Sequence, residues 1–126
     1  MTLELFGNSE HEPLAEGAWL LRRFAVAYEA ELRSAIDAVV AAAPWRHMIT
    51  PGGFRMSVAM TNCGEQGWVS DAHGYRYSAI DPESGRAWPA MPAVFAHLAT
   101  RAAALAGFHD FVPDACLINR YEPGTQ

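Results

Sequence analysis

The sequence contains no lysine. All nine basic residues are arginines, and they face fourteen acids, for a formal net charge of −5. That balance argues against a surface built to hold nucleic acid by bulk charge, because phosphate contacts supply most of the affinity in such binding. The acids gather at the ends. Residues 44–101 hold five arginines against four acids, whereas the segments on either side are both net negative. Arginine also suits bidentate phosphate contacts better than lysine, so the middle of the chain permits a nucleic-acid contact without demanding one. Cysteine is almost absent too. Cys63 and Cys116 are far apart and form no CxxC, which reads as two reduced, buried thiols. No apolar run approaches membrane-spanning length. The opening MTLELFGNSEHEPL has no basic start and no long apolar stretch, so it is not expected to be a signal peptide. The expected location is cytoplasmic, with no membrane partner.

Several catalytic signatures are missing as well. There is no GxSxG and no activated-cysteine context. Gly52-Gly53 reads as a turn and not as a phosphate loop. Pro89-x-x-Pro92 reads as the lead-in to a helix. The five histidines are His11, His47, His73, His97 and His109, and none begins a His-x-Asp or His-x-Glu. A facial iron site needs two histidines and a carboxylate, and a zinc site needs its own ligand spacing. Neither pattern is present, so no metal site is expected from this chain's own residues.

What remains is globular material: 126 residues, 51% hydrophobic and 18% charged. Residues 18–24, AWLLRRF, read as a short strand entering a helix over 27–43. Leu32, Ile36, Val39, Val40 and Ala43 make that helix's apolar stripe, with Glu29, Arg33 and Asp37 outside it. Pro44 ends it. A turn follows on Pro51-Gly52-Gly53, and then a strand over 56–62 with Met56, Val58 and Met60 on its bulky face. The turn-rich, aromatic stretch from Asn62 to Pro92 predicts one or two short hairpin strands. A second helix runs over 92–106 with Val94, Phe95, Leu98, Ala102 and Leu105 inward, and Gly107 stops it. A last strand spans 115–121. Helices and strands do not alternate as βαβαβ, so the fold class is α+β. The last strand has no later partner in this chain and is expected to leave an edge and an apolar face open.

Two constellations offer chemistry. Along the last strand Leu117, Asn119 and Tyr121 share one face, and Cys116, Ile118 and Arg120 the other. An amide and a phenol about 7 Å apart suit a carboxylate or carbonyl of a small ligand. The plainer alternative, a solvated edge strand, is what spacing alone favours. In the aromatic stretch, Tyr75 and Tyr77 share a face near Trp68, and Arg76 points the other way. Aromatic platforms with an arginine suit unstacked bases. Spacing alone again favours the plainer alternative, a hairpin that packs its aromatics on a helix.

Three long stretches go further: TPGGFRMSVAMTNCGEQGW, then GYRYSAIDPESGRAWPAMP, then PDACLINRYEPG. In this order they closely resemble the bacterial AlkB proteins, Fe(II)- and 2-oxoglutarate-dependent dioxygenases that repair alkylated nucleic acids. The resemblance covers essentially the whole chain. It implies a nucleotide-recognition lid over residues 1–90, N-terminal extension included. It also implies the first elements of a double-stranded β-helix, or jelly-roll, dioxygenase core over 91–126, incomplete as the chain stands. Trp68 then matches the lid tryptophan on the substrate base, and Tyr75, Arg76 and Tyr77 the lid segment that meets the substrate strand. Asn119, Arg120 and Tyr121 match the co-substrate segment, where the Asn and Tyr side chains grip 2-oxoglutarate. The implied substrates are bases such as 1-methyladenine and 3-methylcytosine in single-stranded or duplex DNA, with RNA as a further class. Oxidation of the methyl group releases formaldehyde. In the family, N-R-Y-x-P-G precedes a strand bearing His-x-Asp, with a distal His and an arginine-rich segment later. N-R-Y-x-P-G is present here but none of the later elements occurs, so the chain is expected to be the N-terminal part of a longer enzyme, monomeric in full-length form and inactive alone. The alternative expectation is a non-catalytic lid module that binds single-stranded nucleic acid.

Overall fold

Local patterning sets the helices, and partners set the strands. The computed structural model describes residues 10–124. The signal-peptide expectation rests mainly on Met1–Ser9, which lie outside the described residues, as do Thr125 and Gln126. The chain begins with a hairpin of β1 (His11–Ala15) and β2 (Ala18–Leu21), paired antiparallel as His11↔Leu21 and Glu12↔Leu20. The sequence suggested one strand over 18–24 and none before it. Pro13 and two charged or titratable neighbours hide β1 from any propensity argument. An ion pair between Glu12 and Arg22 helps hold the hairpin.

A 3₁₀ turn at Val26–Tyr28 leads into α1 (Glu29–Ala42). The expected stripe is the inward one: Val39 and Ala43 are buried, Leu32, Ile36 and Val40 half-buried, and Glu29, Arg33 and Asp37 exposed. After Pro44 the backbone folds back on itself. Ile49 pairs with Arg55, and the Met56 N–H donates to the Met48 carbonyl at 2.8 Å. That local pairing takes up Met56, so the strand expected over 56–62 starts later, as β3 (Ala59–Gly64). Every residue from Ala59 to Cys63 is buried, so the strand is covered on both sides.

β4 (Gly67–Asp71) and β5 (Gly74–Ser78) form the expected hairpin, closed by the two residues Ala72-His73. The helix α2 (Ala93–Leu105) follows Pro92. It ends on Gly107 at φ 95°, with Phe108 N–H donating to the Ala103 carbonyl and Gly107 N–H to the Ala104 carbonyl. This is the Schellman arrangement that glycine permits. The last strand, β6 (Ala115–Arg120), pairs antiparallel with β3, from Ala59↔Arg120 to Gly64↔Ala115. The result is a mixed helix-and-strand fold with small antiparallel sheets, in line with the α+β reading.

Trp88 stands at the centre. It packs with Ala43 and Val69, and its Nε1–H donates to the Ser78 carbonyl at 3.0 Å. The Arg46 guanidinium lies 5.0 Å from the ring centroid and forks onto the buried Asp81 carboxylate. Gly67 is required here, because a Cβ at that position would fall 2.4 Å from the indole. Among the described residues no helix is long and apolar enough to cross a membrane.

Candidate functional site

The β3–β6 ladder has two faces with different surroundings. Ala59, Thr61, Cys63, Cys116, Ile118 and Arg120 share the back face, since side chains alternate along each strand and directly paired residues share a face. This face packs toward α1, where the Thr61 hydroxyl donates to the Ala43 carbonyl at 2.6 Å. Met60, Asn62, Leu117 and Asn119 share the front face. Tyr121 continues it, and the Asn119 Nδ2 donates to the Tyr121 phenol oxygen at 3.2 Å. The two polar groups are therefore closer than the strand repeat suggested, because both side chains bend toward one another. The phenol accepts that bond and keeps its own proton to donate elsewhere.

The β4–β5 hairpin covers one end of this front face. Trp68, Ser70, Tyr75 and Tyr77 lie on one side of the hairpin, given the pairs Trp68↔Tyr77 and Ser70↔Tyr75. Trp68 stacks on Tyr75 with ring centroids 5.8 Å apart and planes 17° from parallel. Tyr75 and Tyr77 are more than half exposed. Between hairpin and sheet lies a cavity of about 390 Å³ lined by Met60, Asn62, Trp68, Tyr77, Ala115 and Leu117. A larger cavity of about 620 Å³ lies on the far side of Trp88. Its lining is mostly apolar, with Ile80, Met91 and Val112, and the polar side chains on it are the two acids Glu65 and Asp114.

Of the seven residues singled out from sequence, Trp68 and Tyr77 line the smaller cavity, and Tyr75 stacks on Trp68 beside it. Asn119 and Tyr121 stand on the uncovered end of the same sheet face. Two point away. Arg76 lies on the opposite side of the hairpin and forks onto Asp71 at 2.8 and 3.0 Å. The Arg76 guanidinium and the His73 backbone N–H hold the Asp71 carboxyl down to about 2. Arg120 lies on the back face, its guanidinium 5.1 Å from the Trp45 ring centroid and 3.4 Å from Glu122. The sequence reading missed Met60, Asn62 and Ala115. The available signal was Asn62 itself, an amide in a mostly apolar strand and wholly buried here.

Among the described residues no three His, Cys, Asp or Glu side chains come together to hold a metal. Iron therefore has no fitting ligand set in this part of the chain. One exposed strand face does present an amide N–H and a phenol O–H, donors suited to the oxygens of a small carboxylate.

Residues 17–126 match the 2OG-Fe(II) oxygenase superfamily, and the chain belongs to that family. Within it, the chain is 54% identical over 126 residues to the alpha-ketoglutarate-dependent dioxygenase AlkB of Escherichia coli and 51% identical to that of Salmonella typhimurium. Both alignments cover 98% of this chain and 58% of the relative. The AlkB homolog of Caulobacter vibrioides is 43% identical over 97 residues, covering 75% of the chain and 42% of the relative. The chain thus spans somewhat over half the length of the curated relatives it matches, and corresponds to the N-terminal portion of AlkB-type proteins.

Proposed function

We propose that this chain is the base-recognition and co-substrate-gripping part of an Fe(II)/2-oxoglutarate-dependent dioxygenase. The substrates would be alkylated bases such as 1-methyladenine and 3-methylcytosine in single-stranded or duplex DNA, or in RNA, demethylated with release of formaldehyde. The single observation that carries this reading is the two-walled cleft. One wall holds the Trp68–Tyr75 stack and Tyr77, and the other is the sheet face that ends in Asn119 and Tyr121. A base taken out of its stack needs aromatic surface to replace the stacking it loses, and a damaged base that pairs badly leaves most cheaply. The Asn119 amide and the Tyr121 phenol would orient 2-oxoglutarate by donating to its oxygens.

Iron and its oxidising chemistry belong to the complete enzyme. This chain's own residues would bind and orient, and exclude water from the base. The division of labour runs near residue 90, with the lid before it and the start of the jelly-roll core after it. The two parts would work as one unit, since β3 before that boundary pairs along its length with β6 after it. The full-length protein would be a cytoplasmic monomer. A second reading, a non-catalytic module that holds single-stranded nucleic acid, is favoured by the exposure of Tyr75 and Tyr77.

The test is to incubate the purified chain with a 1-methyladenine oligonucleotide, Fe(II) and 2-oxoglutarate. Binding of the oligonucleotide without formaldehyde is expected. Absence of binding under low salt would sink the recognition role, and clear formaldehyde release would sink the claim that the chain is inactive alone.

A further inference from the structure

Asn62 is wholly buried, although its side chain is a polar amide. Its amide makes two bonds, both to the backbone of one residue. Asn62 Nδ2 donates to the Trp68 carbonyl at 2.9 Å, and the Trp68 N–H donates to Asn62 Oδ1 at 3.0 Å. The side chain thus mimics the exchange of two bonds that a paired strand would make. Nothing else among the described residues supplies those bonds. Trp68 sits opposite Tyr77, and its backbone polar groups turn away from β5 toward Asn62.

The location matters as much as the geometry. Asn62 belongs to β3, whose neighbour across the ladder at that position is Leu117, two residues before Asn119. Its far end holds β4 at the residue whose ring forms the aromatic wall. We infer that Asn62 is a positioning residue for base recognition. It sets the height and angle of the Trp68–Tyr75 stack above the β3–β6 sheet, and so the width of the cleft between base wall and co-substrate face. This inference rests on the proposed recognition role for what it positions, but the hold of Asn62 on Trp68 does not.

The experiment compares the chain with Asn62→Ser and Asn62→Asp. Serine is too short to reach Trp68, and aspartate keeps the acceptor while replacing the donor with a second acceptor. Two readouts are taken: affinity for a single-stranded 1-methyladenine oligonucleotide, and backbone hydrogen exchange at individual amides. Each variant is expected to bind about tenfold more weakly. Exchange at Trp68 should quicken about a hundredfold, while the Thr61 and Ile118 amides of the ladder keep their rates. Equal loosening of Trp68 and the ladder would mean general destabilisation and would overturn the inference, as would an unchanged Trp68 amide. Should both variants fail to fold, the unsubstituted chain decides the matter. Trp68 must then exchange with the slow ladder amides, and exchange as fast as Ala72 at the hairpin tip overturns it. If the parent chain binds no oligonucleotide, the recognition role fails, and the exchange data still decide whether Asn62 holds Trp68.

Discussion

Cys63 and Cys116 stand directly opposite one another across the β3–β6 ladder, on its back face, as two free thiols. Their closeness has unequal effects. The neighbouring Cys63 thiol favours the Cys116 thiolate and brings its pKa down to about 7, against the opposing pull of burial. The same neighbour effect, together with burial, pushes the Cys63 thiol far up. Reaction with iodoacetamide should therefore fall on Cys116, with a rate that rises through about pH 7 and then levels off. Cys63 should stay unlabelled in the folded chain. Cys63→Ala removes the neighbouring thiol and should move the Cys116 rate profile up toward the ordinary thiol value of about 8.5. Peptide mass spectrometry across a pH series reads both results.

The Arg46–Asp81 pair makes a different kind of prediction. Both side chains are buried, and the guanidinium also lies over Trp88. Burial alone would raise the Asp81 carboxyl, but hydrogen bonds from Arg46 and the Glu83 backbone outweigh it and hold it below the usual range. A carboxyl held down in the folded state contributes stability above its unfolded pKa of about 3.9, and loses that contribution as pH falls through the lower folded value. Asp81→Asn leaves a buried arginine without its counter-charge, which should cost about 3–5 kcal/mol. Urea denaturation at neutral pH measures the loss. Repeating it in acid should show the gap between parent and variant closing.

Trp68 and Arg76 should separate in salt. Loss of a stacking ring acts on the base, so Trp68→Ala should weaken oligonucleotide binding by about 1–3 kcal/mol with the salt dependence intact. Arg76 is already forked onto Asp71, on the side away from the cleft. If it also meets a phosphate, Arg76→Ala should flatten the slope of log affinity against log salt by about 1. A titration at several salt concentrations distinguishes the two, and an unchanged slope removes Arg76 from the contact.

Two glycines should resist substitution for separate reasons. A Cβ at Gly67 meets the Trp88 indole at 2.4 Å, and one at Gly64 meets the Asp114 carbonyl at 2.6 Å with φ at 111°. Gly67→Ala forces the central indole to move, and should lower stability by about 1–3 kcal/mol. Gly64→Ala adds backbone strain to a clash with backbone that cannot rotate away, so its effect should be the larger. Thermal denaturation by circular dichroism gives the order, and Gly74→Ala, strained but uncrowded, separates the two causes.

Both helices were legible in the residues alone, because a 3.6-residue stripe and a Pro or Gly stop are local signals. The shared face of Asn119 and Tyr121 was equally legible, since alternation along a strand needs no partner. The three long stretches that resemble AlkB proteins carried the family. Strand limits were not legible. Met56 left β3 because Met48 took its N–H, and β1 exists because β2 pairs with it. Only the tertiary structure brought Cys63 to Cys116, Arg46 to Asp81, and the Asn62 amide to Trp68. Each of those contacts joins segments that no sequence period relates. Periodicity reports which way a side chain points along its own element. What it points at depends on how the elements pack, and here the packing put one buried amide between the Trp68–Tyr75 stack and the β3–β6 ladder.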